Sequence, residues 1–434
     1  MYFVSKARNS KPRMSRYLRI LLKVVHWLGL INMPCKNEKV WIKYVHLVFM
    51  CFIHVVYWLY MLSNLICLVH YANRGLTKFI PRLCDGIGFI AVYLEAFIFI
   101  ISRKRVGKLL DILDKFDTTS NKDLTARCRK LETIACCFVP TFVFVTVGMK
   151  MMEKSQASLA FYRSGYTRDY PDTLLPYVLW IPGLDFSKSS VFLVAYLFEL
   201  YITLIIISMV VVLLLFVPLI LLHLSAQKHL LANGLKMLGF WHPAHQRPVT
   251  MTCNTDLCLR TRDLELEREQ IHYELVRINT LIRFHQKLVA FRVQFDDIFK
   301  ASFRYRVLIT TALTALNILQ VMSLDLLPPQ ERVMVINQAI MSMTFYFYIN
   351  LMSQSLEWSQ TRICRAAYKS RWYTMCPEAK RSLLMFLRRT QRRDFMRPLN
   401  GMMVLGTRHF MKLLKLIYSF IGFMQSMKKS ASVA

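Results

Sequence analysis

The sequence is short of the residues that make flexible linkers, and it is short of acidic side chains. Its 434 residues include only 13 Gly and 14 Pro, and 26 Asp plus Glu stand against 57 Lys plus Arg. A soluble chain of this length usually divides into two or three domains joined by polar linkers, and no such linker is visible. With 55% hydrophobic residues and a positive mean hydropathy of +0.34, the chain is predicted to cross a membrane several times as helices.

Motifs for catalysis and for metal binding are also missing. The sequence has no glycine-rich phosphate loop, no G-x-S-x-G, no H-E-x-x-H and no paired carboxylates in a polar cleft. The loosely metal-like order of His242, His245, Cys253 and Cys258 fits no zinc spacing. The 11 cysteines are scattered, which is not the pattern of a secreted disulfide framework. We therefore predict that the protein is not an enzyme and needs no cofactor or metal ion.

Long apolar stretches are what the sequence does contain, and six of them can each cross a hydrocarbon core about 30 Å thick. They are 44–69, 83–102, 133–152, 191–222, 307–324 and 333–357. A seventh stretch, 398–427, is weaker because Arg408, Lys412 and Lys415 interrupt it. Polar groups in a membrane helix usually face protein or water, so we expect this helix at a protein–protein or water-lined centre. The predicted fold class is an all-α membrane protein with seven transmembrane helices.

The distribution of the cations predicts the orientation of the spans. Lys and Arg number 40 in segments 1–40, 103–130, 223–300 and 361–400, against 10 in the four alternate segments. Cation-rich segments stay in the cytosol, so we expect the N terminus inside and the C terminus outside. The net charge of +31 then needs no nucleic acid as a partner, and it gives a cytosolic face suited to anionic membrane lipids.

Residues 19–33 form a shorter apolar run behind a basic start. Lys23 and His26 interrupt this run, and no small-residue cleavage site follows it. A signal peptide is therefore disfavoured, and we expect an amphipathic helix at the inner membrane interface.

Aromatic residues gather in the predicted outer halves of the second, third, fourth and sixth spans. Together they could line a mostly apolar cavity with a few hydroxyls to orient a guest, as is usual for small-molecule sites. The candidate ligand-binding residues are Phe89, Tyr93, Phe142, Met149, Phe192, Tyr196, Met341, Phe345 and Tyr346. The alternative is ordinary helix packing, since aromatic residues often fill cores.

Two carboxylates, Glu95 and Glu199, lie deep in the second and fourth spans. A charge buried in lipid costs several kcal/mol, so such residues usually have a function or a partner. An interhelical hydrogen bond and a contact with a ligand or ion are both open for them.

The seventh span carries a polar stripe. Tyr418, Ile421 and Gln425 share one helical face, at spacings of three and four residues. An apolar residue between polar ones on a face that lines a pore is what a dewetting gate needs. Small and polar residues also serve plain helix–helix contact, so that alternative stays open. If this face lines a cation pore, the three cations of the same span should point away from the lumen.

The order of residues after the sixth span provides a further indication. The series is Ala367, Tyr368, Ser370, Trp372, Tyr373, Leu383, Leu384, Gln391, Gly401, Tyr418 and Ser419. In order and spacing it resembles the insect odorant receptor family, whose members have seven spans and are unrelated to G-protein-coupled receptors. Before the fourth span, 175–182 resembles the family's second outer loop. The chain departs from the family at Arg393, where a Pro is common.

The resemblance implies an odorant-binding subunit that assembles with a shared co-receptor into a heterotetrameric, non-selective cation channel in the membrane of sensory neurons. It also implies a small volatile ligand among the second, third, fourth and sixth spans, and a pore lined by the seventh helices. Coupling between the two is expected through Tyr368, Trp372 and Tyr373. One alternative is a gustatory-type receptor that forms channels without the co-receptor. A G-protein-coupled receptor is disfavoured by the inside N terminus and by the lack of D-R-Y-like and N-P-x-x-Y-like motifs.

These expectations divide the chain into six segments. They are a cytosolic N-terminal segment with an interfacial helix (1–40), the first four spans on the ligand-binding side (41–222), a cytosolic helical anchor loop (223–305), the fifth and sixth spans (306–360), a cytosolic basic helix (361–397), and the pore helix with a short extracellular tail (398–434). Within the anchor loop, apolar residues recur every three or four positions from 262 to 289, which is typical of a helix packed on another helix.

Overall fold

The computed structural model describes residues 16–28, 40–71, 76–114, 116, 122–149, 177, 189–240, 256–322, 327–398 and 401–433, and no strand occurs among them. Nine α-helices lie in these ranges. They are α1 (Arg16–Trp27), α2 (Val40–Tyr71), α3 (Leu76–Asp114), α4 (Lys122–Gly148), α5 (Ser189–Lys236), α6 (Asp256–Met322), α7 (Pro329–Tyr368), α8 (Pro377–Thr390) and α9 (Thr407–Val433). His242, His245, Cys253 and all of the predicted second outer loop except Tyr177 lie outside the described residues.

The all-α fold class is confirmed, and the seven predicted spans fall on α2 to α7 and α9. By length and composition alone, five helices of the described chain can cross a bilayer. These five are Leu47–Val69, Phe79–Leu113, Ala126–Gly148, Ser190–Lys236 and Glu267–Met322. The helices that carry the sixth and seventh spans, α7 and α9, are more polar. Their polar residues need protein or water as neighbours.

The helix α6 runs unbroken for 67 residues, which corresponds to about 100 Å at 1.5 Å per residue. Its first part contains the helix predicted at 262–289, and its last part contains the fifth predicted span. No break separates the two parts, so one continuous helix joins the predicted anchor loop to the predicted fifth span. The helix α5 likewise runs for 48 residues and extends well past the predicted end of the fourth span.

The helix α1 overlaps the segment near the N terminus that was predicted to form an amphipathic helix. Leu18, Leu21, Leu22 and Val25 are buried at spacings of three and four residues, as one face of a helix requires. This face packs on α4 and α5 and belongs to the main hydrophobic core. This apolar face of α1 is therefore covered by protein, whereas Ile20 and Val24 of the same helix are exposed.

A buried cluster of charges fastens the segment that leads into α9. The Asp394 carboxylate accepts hydrogen bonds from Lys228 Nζ at 2.6 Å and from Arg292 Nε at 3.2 Å. The backbone N–H of Asp394 donates to Glu357 Oε2 at 3.0 Å. Burial by itself would raise the pKa of Asp394, but the two neighbouring cations hold the pKa below its usual value. The cluster thus ties α5, α6 and α7 to the start of the last helix.

The end of α5 docks on the turn between α7 and α8 through Gly239. The residue has a φ of +76°, and a Cβ atom there would overlap the carbonyl oxygen of Arg371. The Arg371 N–H donates to Leu238 O at 3.2 Å, and its guanidinium lies 4.5 Å from the centre of the Phe240 ring. Only a residue without a Cβ permits this approach.

We predict that Gly239→Ala destabilises the fold by about 3 kcal/mol or more, because left-handed backbone strain and steric overlap with Arg371 add together. Gly401→Ala is the matched control, since Gly401 has a φ of +91° but no described atom within 4 Å of an added Cβ. It should cost about 1 to 2 kcal/mol from strain alone. The measurement is the unfolding temperature of each variant in detergent, and equal losses would contradict the close contact.

Candidate ligand cavity and pore helix

A cavity of about 250 Å³ lies between α3, α4, α5, α6 and α7. Apolar side chains such as Val92, Ile206 and Leu313 form most of its wall, and a few polar groups interrupt them. Its volume is close to the lower end of ligand pockets, which run from about 300 Å³ upwards. The cavity therefore suits a small, largely apolar molecule.

Four of the nine predicted ligand-binding residues line this cavity. They are Phe89, Met149, Met341 and Phe345, which come from α3, the end of α4, and α7. Helices that are distant in sequence thus bring together the outer aromatic residues that the sequence marked. The predicted second, third and sixth spans thus all contribute to the cavity wall.

Four other predicted residues lie in the layer behind the wall. Phe142 packs edge-on against Phe345, with ring centres 6.0 Å apart. Tyr93 stacks on Tyr57 at 5.0 Å. Phe192 and Tyr196 stack on each other at 6.3 Å and border a second aromatic cluster formed by α2, α3 and α5. These four side chains support the wall and do not line the cavity.

This second cluster holds the wall residue Phe89 in place. The Tyr57 hydroxyl donates to the backbone carbonyl of Phe89 at 2.9 Å. The Phe89 ring meets Tyr60 at 5.3 Å and Tyr177 at 5.1 Å, both edge-on. Edge-to-face pairs stabilise such clusters by about 1 kcal/mol each beyond their burial.

The ninth predicted residue, Tyr346, contacts the last helix rather than the cavity. It is 1% exposed, and a hydrogen bond of 2.7 Å joins its hydroxyl to His409 Nε2 of α9. Successive residues of a helix point about 100° apart. Because Phe345 faces the cavity, its chain neighbour Tyr346 faces α9.

The sequence reasoning missed the contribution of the fifth span. Arg306, Thr310, Leu313 and Asn317 of α6 all line the cavity. They recur at spacings of four, three and four residues, so they form one stripe along the helix. Polar residues repeated at this spacing inside an apolar span were the signal that could have found them.

An ion pair between Glu95 of α3 and Arg306 of α6 lies at the wall of the cavity. The Ser302 hydroxyl donates to Glu95 Oε1 at 3.1 Å. Arg306 Nη2 also donates to the carbonyl of Leu213 in α5, at 2.7 Å. Glu95 is thus an interhelical partner, which was one of the two alternatives left open. Glu199 also has a protein contact, because it accepts the backbone N–H of Tyr177 at 3.2 Å.

The predicted pore helix, α9, packs on α7 along one side. Phe410 meets Phe347 with ring centres 5.1 Å apart, beside the bond between Tyr346 and His409. The backbone N–H of Gly406 donates to Asn350 Oδ1 at 3.0 Å, just before α9 begins. Away from α7, large side chains such as Leu416 and Tyr418 are exposed, Tyr418 by 81%. Lipid or further protein can cover this apolar surface.

The three cations of α9 do not share the face of the predicted gate. Arg408, Lys412 and Lys415 are exposed, whereas Ile421 is half-buried. At about 100° per residue, the centre of the cation stripe lies roughly 110° around the helix from the stripe of Tyr418, Ile421 and Gln425. Cations at this angle point away from a pore that is lined by that stripe. The side chain of Gln425 lies outside the described residues.

The three predicted coupling residues lie on the surface. Tyr368 is 73% exposed, Trp372 43% and Tyr373 62%, and the last two form an edge contact with each other. A shorter connection from cavity to pore helix is the peptide bond between Phe345 and Tyr346.

Known proteins share this helical architecture. The model of the 7tm odorant receptor family matches residues 75–418. The structure of the insect olfactory receptor OR5 from Machilis hrabei superimposes with a TM-score of 0.70 at 10% identity, over 94% of this chain and 96% of that one. For the same receptor in complex with eugenol, the TM-score is 0.66 at 11% identity, over 95% and 97% of the two chains. No curated protein matches the sequence. At such low identity, the two structures share the fold with this chain.

We predict that Glu95→Leu destabilises the protein by about 3 to 5 kcal/mol, because it leaves the Arg306 guanidinium buried without its counter-charge. The double variant Glu95→Leu with Arg306→Met should be clearly more stable than Glu95→Leu alone, since apolar side chains then replace the whole pair. Unfolding temperature and surface expression are the measurements. A double variant that loses as much as the two single variants together would contradict the pairing.

Proposed function

Because the chain belongs to the 7tm odorant receptor family, we propose that it is the odorant-binding subunit of a ligand-gated, non-selective cation channel. The proposed partner is the shared odorant receptor co-receptor, with which it forms a heterotetramer in the cell membrane of sensory neurons. One observation supports this proposal most. The cavity wall and the contact to α9 are neighbouring residues, Phe345 and Tyr346, of the same helix.

The properties of the cavity support a small volatile ligand. Its wall is mostly apolar and its volume is about 250 Å³, which favours a compact organic molecule over a peptide or a sugar. A receptor of the same fold was solved in complex with eugenol. Apolar burial supplies most of the binding free energy in such a site, and a few polar groups determine which molecules fit.

Gating requires that the ligand bind the open arrangement more tightly than the closed one. A ligand that displaces Phe345 turns or shifts α7 at that point. Tyr346 follows because it is the next residue, and its hydrogen bond transmits the movement to His409 of α9. The polar contacts of Asn350 and Ser353 with Gly406 and Leu405 hold the same two segments together one to two turns further along α7.

The exposed surface of α9 supports assembly around a central pore. Its apolar and charged residues together make lipid an unsuitable environment on all sides. Neighbouring subunits can cover the apolar residues, and a water-filled lumen can solvate the charged ones. In this arrangement the stripe of Tyr418, Ile421 and Gln425 faces the lumen, and the cations face another subunit or the cytosolic entrance.

We predict that cells expressing this chain with the co-receptor give inward cation currents to some members of a wide volatile panel. Phe345→Ala should raise the half-maximal concentration of an active odorant about tenfold or more, because it removes part of the cavity wall. Phe97→Ala is the matched control, since Phe97 lies on α3 away from the cavity and is 50% exposed. It should leave the response nearly unchanged.

Three outcomes would count against the proposal. The absence of current in response to every odorant of the panel, despite surface expression, would contradict the proposed channel function. Currents from this chain alone would favour the gustatory-type alternative. An N-terminal epitope that antibodies reach on intact cells would contradict the predicted orientation and favour a G-protein-coupled receptor.

We also predict that Ile421→Ala raises the basal current, because a smaller side chain at an apolar constriction no longer keeps it dry. The matched control is Leu416→Ala, because Leu416 is 66% exposed and points about 140° around α9 from Ile421. It should not raise the leak. Whole-cell recordings without odorant distinguish the two variants, and equal basal currents would refute the assignment of Ile421 to the gate.

A further inference from the structure

The cavity wall contributed by α6 is a single stripe with different chemistry at its two ends. Arg306 and Asn317 line the cavity eleven residues apart, or about 16 Å along the helix. Between them lie Thr310 and Leu313 on the same face. A ligand extended along this stripe meets an ion pair at one end and an uncharged amide at the other.

Most polar groups of the cavity wall near Arg306 are hydrogen-bonded within the protein. Arg306 pairs with Glu95 and donates to Leu213 O. The Thr310 hydroxyl donates to the carbonyl of Arg306 at 2.6 Å. On α4, the Thr146 hydroxyl donates to Phe142 O, also at 2.6 Å. The hydroxyl hydrogens of both Thr residues are thus used within the protein, so these hydroxyls offer a ligand only an acceptor oxygen.

Asn317 is different, because its buried Oδ1 atom has no partner among the described residues. The residue is 2% exposed, and no described residue bonds to its buried Oδ1 atom. Leaving a buried amide group unpaired costs about 1 to 3 kcal/mol. An amide has two donor hydrogens and one acceptor oxygen, so it can bond a hydroxyl or a carbonyl whichever way it is turned. The side chain lines the cavity, where a ligand can supply the missing bond.

We propose that Asn317 selects the ligand, and that the cavity takes a neutral oxygenated volatile whose hydroxyl or carbonyl group bonds the Asn317 amide. The apolar body of the ligand then lies along Leu313 towards Phe345. An anionic ligand is disfavoured, because Glu95 already neutralises Arg306 and the remaining charged residue of the wall, Asp85, is itself acidic. This inference rests on the proposed function, since it names the ligand class of the same cavity.

The test compares molecules that differ only in one polar group. Cells with this chain and the co-receptor are exposed to 1-hexanol, 1-octanol and 1-decanol and to the alkanes of equal length. In the wild type, the best alcohol should act at about tenfold lower concentration than its alkane, as one satisfied hydrogen bond provides. Asn317→Leu should abolish most of this difference. Leu313→Ala is the matched control, and it should weaken alcohol and alkane alike.

A binding measurement separates this inference from the proposed channel function. The unfolding temperature of the purified receptor is recorded with and without each alcohol and alkane. Stabilisation by an alcohol that Asn317→Leu removes would support the inference, even if no current is found. Unchanged alcohol preference in Asn317→Leu would overturn it, as would the absence of any preference in the wild type. Loss of the preference in Tyr305→Phe but not in Asn317→Leu would also overturn it, because the Tyr305 hydroxyl is another buried atom without a described partner.

The stability of Asn317→Leu without ligand provides a second check. Since the Oδ1 atom has no partner to lose among the described residues, the variant should unfold at the same or a higher temperature than the wild type. A marked loss of stability would mean that an ordered water or another group already satisfies the amide, and the inference would then fail.

Discussion

Polar groups enclosed between membrane helices have to find partners within the protein, because no water is present to replace those partners. This constraint explains the main contacts of the structure. Glu95 and Arg306 join α3 to α6 beside the cavity, and Asn350 bonds the backbone that leads into α9. In the segments expected in the cytosol, burial makes the same demand, and Asp394 pairs with Lys228 and Arg292. The Oδ1 atom of Asn317 is an exception, because no described residue bonds to it. Asn317 lies in the cavity wall, where the proposed ligand would bond its amide.

Two long helices connect the cavity with the base of the last helix. On α7, Phe345 lines the cavity and Tyr346 binds His409. On α6, Arg306 at the cavity and Arg292 at the Asp394 cluster lie fourteen residues apart, about 21 Å on one continuous helix. Neither connection passes through the exposed rings that were expected to couple ligand and pore. If each helix moves as a rigid body, a displacement at the cavity also moves the contacts at the other end of that helix.

The sequence predicted the helices better than the directions in which their side chains point. All seven spans, the amphipathic α1 and the helix within 262–289 were found from apolar runs and three- and four-residue spacing. Of the nine expected cavity residues, four line it and five pack elsewhere. For a helix that is apolar on every side, periodicity cannot tell which neighbour each face meets. For this reason Tyr346 was expected to line the cavity but faces α9, and the residues of α6 that do line the cavity were missed.

By itself, the sequence determined the class of molecule. Apolar runs of membrane length and cations in alternate segments specify a multi-span helical protein, and the residues after the sixth span indicate its family. Only the tertiary structure decided which side chains meet. Glu95 and Arg306 are 211 positions apart and Tyr346 and His409 are 63 apart. Such contacts arise when separate helices pack, because the rotation of each helix about its axis depends on its neighbours and is not encoded in local spacing.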